Sequence, residues 1–179
     1  MDEPKERALV ERIHQSRGAT REEALGELLE ALEPNVRGLC FRLTASHADA
    51  EDATQDTLLG IYRGMAHFRG ESRVSTWAYR IAVRSATKVR ARQRKHAATD
   101  EPVEDLAGAP APEVFERDLR RALASLSVTH ATVLGLFALD GMSHQEIAEV
   151  LNVPEGTIWS RLHTARRKLA LAIDGDSGG

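Results

Sequence analysis

The residues that most resemble a catalytic or metal-binding set lie together between positions 47 and 52. They are one histidine and three carboxylates, His47, Asp49, Glu51 and Asp52. At helical pitch Asp49 and Asp52 share a side while Glu51 diverges, and no second histidine lies four residues from His47 to complete a zinc pair. The chain's 7 histidines are scattered without zinc-type spacing. We therefore expect no catalytic residue, no bound metal and no cofactor.

Anion binding is the chemistry that a second segment, residues 68–95, favours. Between Glu71 and Asp100 there is no acidic residue, whereas eight of the chain's 24 lysines and arginines fall there. At helical pitch one stripe carries the cations and a tryptophan, and another carries small apolar residues. The first comprises Arg73, Trp77, Arg80, Arg84, Lys88, Arg92 and Lys95, and the second Ala78, Ala82, Ala86 and Val89. Like charges one turn apart repel, so a polyanion along the stripe would stabilise the helix. The alternative is a solvated basic face.

Composition describes a soluble globular protein, with 42% hydrophobic and 28% charged residues in a chain of 179. Because the net charge is -3, attraction to nucleic acid has to come from local basic patches. The single cysteine, Cys40, excludes an internal disulfide and fits a reducing compartment. No apolar run approaches the roughly 20 residues that span a bilayer, and the charged N-terminus lacks a secretory core. We expect a cytoplasmic protein without direct membrane insertion.

Apolar periodicity predicts an all-α protein of two small helical domains joined by a flexible linker. The first domain comprises residues 1–96 and would begin with a short charged helix over residues 3–14. The next helix would start at a capping box at Thr20, and Pro34 would kink or split it. A third helix, N-capped by Ser46, would follow to about position 66. Its core side would carry Ala50, Ala53, Thr57, Leu58, Ile61, Tyr62 and Met65.

Composition changes abruptly after the basic stretch. Residues 97–113 are acidic, rich in alanine and proline, and without periodicity, which predicts an extended linker. Residues 114–174 are again helical in pattern and form the second domain. Residues 175–179 would be a disordered tail.

The second domain ends in a helix-turn-helix pattern. Helices over about residues 114–125 and 129–139 precede it, the second ended by a left-handed Gly141. A capping box at Ser143 starts a short helix, Asn152 makes the turn, and a long helix follows. The buried stripe of the long helix would be Ile158, Leu162, Ala165 and Leu169.

The second helix of such a motif fits the major groove of duplex DNA. Its polar N-terminal face would meet base edges or phosphates through Thr157, Trp159, Ser160, Arg161 and Thr164. Cations further along suit both the helix dipole and DNA, namely Arg166, Arg167 and Lys168. The alternative is a plain helical hairpin.

Two stretches in this order resemble a bacterial sigma factor of the extracytoplasmic-function (ECF) type, the compact form with only the second and fourth sigma regions. Residues 47–82, HADAEDATQDTLLGIYRGMAHFRGESRVSTWAYRIA, are similar to the second region, with its AEDxxQ signature, FRG turn and WxYRIA helix. Residues 139–169, LDGMSHQEIAEVLNVPEGTIWSRLHTARRKL, are similar to the fourth, with its EIAxxL, GTxxSR and ARxxL elements. The resemblance covers nearly the whole chain.

The resemblance implies roles for individual residues. Docking to the clamp helices of the polymerase largest subunit would use Asp49, Asp52, Gln55 and Asp56, although an acidic face can also serve solubility alone. The minus-ten element, with an unstacked base of the non-template strand, would be bound by Arg69, Arg73, Trp77, Arg80, Arg84 and Lys88. Trp77 is either a stacking platform or part of the core. The minus-thirty-five element would be bound as duplex by the helix-turn-helix, including Arg167.

The partners that the resemblance implies are core RNA polymerase, at its clamp and flap regions, promoter DNA and an anti-sigma factor. The chain departs from the family pattern at Val74, Arg84 and Lys88 in the second region and at Trp159 and Thr164 in the fourth. The captured base and the minus-thirty-five sequence that the family recognises are therefore not transferred to this chain. We expect an alternative sigma factor that directs polymerase to promoters, and the rival is a helix-turn-helix regulator that does not recruit polymerase.

Overall fold

The computed structural model describes residues 3–44, 46–96 and 126–174, and within them the chain is helical and without strands. The chain divides into two units, Met1–Glu104 and Asp105–Gly179. The predicted all-α class is confirmed. The predicted linker at 97–113, helix at 114–125 and tail at 175–179 lie outside the described residues. None of the described helices is long and apolar enough to cross a membrane.

In its described part the first unit is a bundle of four α-helices. They are α1 (Glu3–Gln15), α2 (Gly18–Leu43), α3 (His47–Gly64) and α4 (Val74–His96), with a single 3-10 turn at Met65–His67 after α3. Helix α3 packs against both α2 and α4, and α1 packs mainly against α2. The core is aliphatic, and its fully buried members include Leu25, Leu28, Val36, Leu39, Ile61, Met65, Ala78 and Ala82.

Helix α2 differs from the predicted helix at two points. It begins at Gly18, whose φ is 57°, so Thr20 already lies inside the helix and the predicted capping box at the start is wrong. Gly18 adopts this left-handed conformation at little cost, which lets the helix begin one half-turn earlier. Pro34 does not split the helix, because it lies on the exposed side while Leu32 and Val36 beside it are buried in the core. The lost backbone hydrogen bond is therefore on the side that water can reach.

Helix α3 begins where the sequence predicts, with the Ser46 hydroxyl accepting a hydrogen bond from the Asp49 N–H at 3.1 Å. Its predicted core residues are buried or half-buried except Tyr62, which is 44% exposed. The prediction for Tyr62 is wrong because its phenol turns toward α2 and donates to Glu22 Oε2 at 3.0 Å. The exposed carboxylate thus holds the ring at the surface.

Two glycines allow α3 and α4 to approach closely. A Cβ at Gly60 would lie 2.9 Å from Cγ2 of Ile81, and a Cβ at Gly64 would lie 2.8 Å from Cζ2 of Trp77. Real Cβ atoms essentially never make contacts this short, so a side chain at either position would displace Ile81 or Trp77. The two glycines therefore allow these side chains of α4 to pack directly on α3.

The second unit contains α5 (Val128–Ala138), α6 (His144–Leu151) and α7 (Glu155–Asp174) in its described part. The predicted Ser143 capping box is complete, since the Ser143 hydroxyl accepts from the Glu146 N–H while Glu146 accepts from the Ser143 N–H at 2.9 Å. Gly141 and Asn152 have φ values of 65° and 53°, as the turn predictions require. The motif packs around Val133, Leu136, Ile147, Ile158, Leu162 and Ala165, whereas Leu169 is half-buried.

Candidate nucleic-acid interface

Helix α4 has the two sides that its sequence predicts. Its core side is buried, with Ala78, Ala82, Ala86 and Val89 each at most 5% exposed. On the other side Arg80 is half-buried, and Arg84, Lys88 and Arg92 are exposed. Lys88 Nζ lies 4.0 Å from Asp56 Oδ2, an exposed pair that contributes little to stability. The cations are thus available to a chain of phosphates running along the helix.

Next to this row, the turn before α4 forms a groove with aromatic and charged walls. The ring of Trp77 is half-buried and lies 5.1 Å from that of Phe68 at an interplanar angle of 43°. Gly70 makes the bend with a φ of 73°. The groove is lined by His67, Phe68, Arg69, Glu71, Ser72, Trp77 and Arg80. Aromatic surface beside cations is what an unstacked base with its phosphate needs.

Arg73 lies one residue before α4, and its guanidinium faces α1. Its Nη2 atom lies 3.3 Å from Oε2 of Glu6, a carboxylate whose residue is only 3% exposed. Glu6 Oε1 also accepts a hydrogen bond from the Ser75 N–H at 2.9 Å. Sequence reasoning missed Glu6. Its spacing from Leu9 and Ile13 indicates that Glu6 lies on the buried side of α1. The first turn of α4 contains no acidic residue, which indicates that a carboxylate from elsewhere could serve it.

The predicted docking residues of α3 divide into two groups. Asp52 and Gln55 are exposed and Asp56 is half-buried, so these three lie on the outer face. Asp49 is only 6% exposed, so its predicted place on that face is wrong. The end of α2 covers the first turn of α3, where the rings of Phe41 and His47 lie 4.7 Å apart. A carboxylate in this turn is favoured by the helix dipole.

The outer face of α3 continues into apolar side chains. Leu59 and Tyr62 follow at helical spacing and are 48% and 44% exposed. Sequence reasoning did not place either residue on this face, because their exposure depends on how α2 and α4 cover α3. A charged surface with adjoining exposed apolar and aromatic side chains is typical of a protein-docking site.

In the second unit the predicted DNA-facing residues lie along α7. Trp159, Ser160 and Arg167 are exposed, whereas Thr157, Arg161 and Thr164 are half-buried. The Ser160 hydroxyl donates to the Thr157 carbonyl at 3.0 Å. The N-terminal half of α7 therefore presents hydroxyls, one indole and the Arg161 guanidinium, and Arg167 follows in the second half of the helix.

A row of rings supports Trp159. Trp159 is 58% exposed. The centroid of its ring lies 4.1 Å from that of His144 at the start of α6. His144 in turn stacks on Phe137 of α5, with centroids 5.2 Å apart and planes at 8°. Arg166 Cζ lies 4.9 Å from the centre of the Phe137 ring, within range of a cation–π contact. The row joins all three helices, and pattern analysis missed it because its members are far apart in sequence.

Other reactive groups offer no second site. Cys40 is fully buried, and burial raises the pKa of its thiol, with hydrogen bonds from Thr54 and Thr57 acting in the opposite direction. A buried thiol of raised pKa is a poor nucleophile. Within residues 3–44, 46–96 and 126–174, no group of three or more His, Cys, Asp or Glu side chains is placed to hold a metal ion.

Two family models match the chain, Sigma-70 region 2 over residues 28–96 and Sigma-70, region 4 over residues 116–169. The ECF RNA polymerase sigma-E factor of Haemophilus influenzae is 31% identical, with 92% of this chain and 93% of the relative covered. The RNA polymerase sigma-H factor of Pseudomonas aeruginosa is 29% identical, with 97% and 96% covered.

Solved structures agree in fold. The sigma factor RpoE of Bartonella quintana, in complex with the anti-sigma factor NepR, matches with a TM-score of 0.72 at 27% identity over 83% of this chain and 96% of that chain. CnrH, in complex with the cytosolic domain of CnrY, matches in fold with a TM-score of 0.66 at 20% identity over 96% and 99%. This chain therefore belongs to the ECF group of the sigma-70 family, as an alternative sigma factor that directs RNA polymerase to promoters.

Proposed function

We propose that the N-terminal and C-terminal domains bind two separate promoter elements. The N-terminal domain would also be attached to core RNA polymerase. Residues 1–96 would bind the opened minus-ten element and the polymerase clamp, and residues 114–174 would bind the minus-thirty-five element as duplex. Residues 97–113 would connect them and 175–179 would form a tail. The two faces of α4, one buried and one cationic, are the observation that carries the proposal.

For the minus-ten element, the cation row neutralises phosphates while the groove beside Trp77 accepts a base. Opening a duplex costs a few kcal/mol for each base that leaves the stack, and stacking on an aromatic ring returns part of this energy. In the groove, Phe68 already contacts one side of the Trp77 ring. The binding set is Arg69, Arg73, Trp77, Arg80, Arg84 and Lys88.

For the minus-thirty-five element, the N-terminal half of α7 would enter the major groove. Hydroxyls and the indole would meet base edges, and the guanidinium groups would meet phosphates or guanine. Arg166, held over Phe137, would support the helix face more than contact DNA. The binding set is Thr157, Trp159, Ser160, Arg161, Thr164 and Arg167.

For core polymerase, the outer face of α3 would dock on the clamp through Asp52, Gln55 and Asp56. Leu59 and Tyr62 extend this surface, because both are exposed beside the carboxylates. Asp49 would stabilise the start of the helix beneath it. The second unit would contact the polymerase flap.

The same surfaces give a partner a way to block the protein. The Bartonella quintana sigma factor RpoE was solved with the anti-sigma factor NepR. By this likeness we infer that an anti-sigma protein also binds the present chain, in the cytoplasm, and covers its polymerase-docking surfaces.

Run-off transcription on genomic fragments tests the proposed function. Core polymerase with the protein should give transcripts from discrete starts, whereas the free protein should bind the same fragments weakly. A regulator that does not recruit polymerase would instead bind its promoters tightly alone. Transcripts no different from the background with core enzyme would remove the proposal.

A further inference from the structure

We propose that Glu6 is a positioning residue for minus-ten recognition, which sets the orientation of Arg73 and of the N-terminus of α4 from the neighbouring helix α1. The inference rests on the proposed function, because it concerns how the minus-ten groove acquires its shape. Glu6 does not touch DNA in this account.

Both oxygens of the Glu6 carboxylate are used on residues at the start of α4. Oε1 accepts from the Ser75 N–H at 2.9 Å and lies 3.3 Å from the Ser75 hydroxyl. Oε2 accepts from Nη2 of Arg73 at 3.3 Å. The Glu6 side chain is 4% exposed, against 35% for Arg73. The carboxylate is therefore enclosed, while the guanidinium still reaches the surface.

Helix α4 needs this group from outside its own sequence. The first N–H groups of a helix have no partner within the helix, and its dipole favours a negative charge there. The first turn of α4 contains no acidic residue. Glu6 supplies both the acceptor and the charge, and it does so at the end of the helix that carries the cation row.

The same helix α1 is also attached before the groove-forming turn. His14 Nε2 lies 3.3 Å from the carbonyl oxygen of Met65, within the 3-10 turn. Glu6 and His14 are about 12 Å apart along α1 at the rise of an α-helix. Leu9 and Ile13, between them, are 5% and 1% exposed and fix α1 to the bundle. Residues 68–73 therefore lie between two segments that each contact α1, a helix that is itself packed against the bundle.

This arrangement predicts an effect on discrimination. A charge-assisted hydrogen bond to an enclosed carboxylate restricts the direction of a guanidinium, and loss of the charge weakens that restriction. Glu6→Gln keeps an oxygen for Ser75 and removes the charge that holds Arg73. The variant should bind scrambled single strands more tightly and the correct minus-ten strand less tightly.

The test uses holoenzyme made from the full chain and core polymerase, with the minus-ten strand of a promoter mapped by run-off transcription. Competition against a scrambled strand gives the discrimination ratio, which should fall about tenfold for Glu6→Gln, since one charged hydrogen bond is lost. Glu11→Gln is the matched control, because Glu11 is exposed on the same helix, and its ratio should equal that of the wild type. Affinity for core polymerase, which the first unit would provide through α3, reports the folded fraction of that unit in each sample, together with helical circular dichroism.

A Glu6→Gln ratio within twofold of the wild type would overturn the inference, as would a loss of minus-ten affinity matched by an equal loss of affinity for core polymerase. If Glu6→Gln fails to bind core polymerase, Glu6→Asp replaces it. Its shorter side chain keeps the charge but withdraws it from Ser75, so a fall of about threefold is expected and an unchanged ratio would overturn the inference. A wild-type holoenzyme without any preference would instead overturn the proposed function itself.

Discussion

The ring of Trp77 lies against Gly64, so closely that a Cβ at position 64 would be 2.8 Å from Cζ2 of the indole. Trp77, which forms one wall of the proposed minus-ten groove, thus packs in space left by the missing side chain at position 64 of α3. Phe68 contacts the same ring at a centroid distance of 5.1 Å. The position of the groove wall depends on this packing as well as on the turn.

The substitution Gly64→Ala should therefore displace Trp77 and lower the free energy of unfolding by about 1–3 kcal/mol, the usual cost of overpacking. Urea unfolding followed by tryptophan fluorescence measures it. The control is Gly26→Ala in α2, where a Cβ would meet no atom of the described chain within 4 Å. That change should stabilise the protein by up to about 1 kcal/mol through helix propensity. Equal effects at the two positions would contradict the packing role of Gly64.

Reversing two charges on α3 should prevent attachment to polymerase. The double variant Asp52→Lys and Asp56→Lys should lose at least about thirtyfold in affinity for core enzyme, as expected for residues at the centre of a docking site. Its helical circular dichroism should be unchanged, since Asp52 is exposed and Asp56 half-buried. Fluorescence anisotropy of labelled protein titrated with core enzyme gives the affinity.

Glu30→Lys on α2 is the control for charge reversal, because Glu30 is exposed on a different helix. It should bind core enzyme as the wild type does. Undiminished affinity of the double variant would remove the outer face of α3 as the docking surface.

Replacing Trp159 by alanine should weaken binding of minus-thirty-five duplex by about tenfold, since one base contact is worth roughly 1–3 kcal/mol. The loss should be confined to the duplex, leaving the minus-ten strand bound as before. Leu171→Ala is the control, because Leu171 is 66% exposed on the same helix but lies about one turn beyond Arg167, the last of the proposed DNA-binding residues. Equal duplex affinity for Trp159→Ala and wild type would show that the ring row serves another purpose.

The buried thiol predicts a dependence of stability on pH. Burial raises the pKa of Cys40 above its ordinary 9.0 in the folded protein. The unfolded chain therefore loses its thiol proton first as pH rises through 9.0, and the free energy of unfolding falls from there upward. Below that pH the Cys40 contribution should be constant.

Urea unfolding at a series of pH values, compared with Cys40→Ala, isolates this contribution, because the variant lacks the titrating group. A thiol reagent should also react slowly with native protein and rapidly in urea. Identical pH profiles for the two proteins, or a fast native reaction, would be inconsistent with the enclosed thiol.

Local signals in the sequence were sufficient to predict most helix ends and the buried sides of the helices. Ser46, Ser143 and Asn152 each act within a few residues of themselves, so their roles follow from residue type and spacing. The alanine side of α4 follows from helical periodicity in the same way. The family resemblance supplied the division into sigma regions, which periodicity alone does not give.

Features that depend on distant contacts were missed or wrong. Glu6 reaches residues 73 and 75, and nothing in its own segment indicates that partner. The position of Tyr62 is determined by Glu22 on another helix, and Asp49 is buried in the turn of α3 where Phe41 of α2 packs against His47. Thr20 carries a valid local capping pattern, but the left-handed Gly18 starts the helix before it. In each case a tertiary contact or a neighbouring backbone conformation outweighs the local pattern.

Mapping transcript starts in cells that overproduce the protein tests whether the chain binds two promoter elements together with polymerase, because it reports both elements in one measurement. We expect a new set of starts that share two sequence elements at a constant spacing, one in the melted region and one upstream. The new starts should disappear with the Asp52→Lys and Asp56→Lys variant. No new starts, or starts that share only an upstream duplex element, would contradict it.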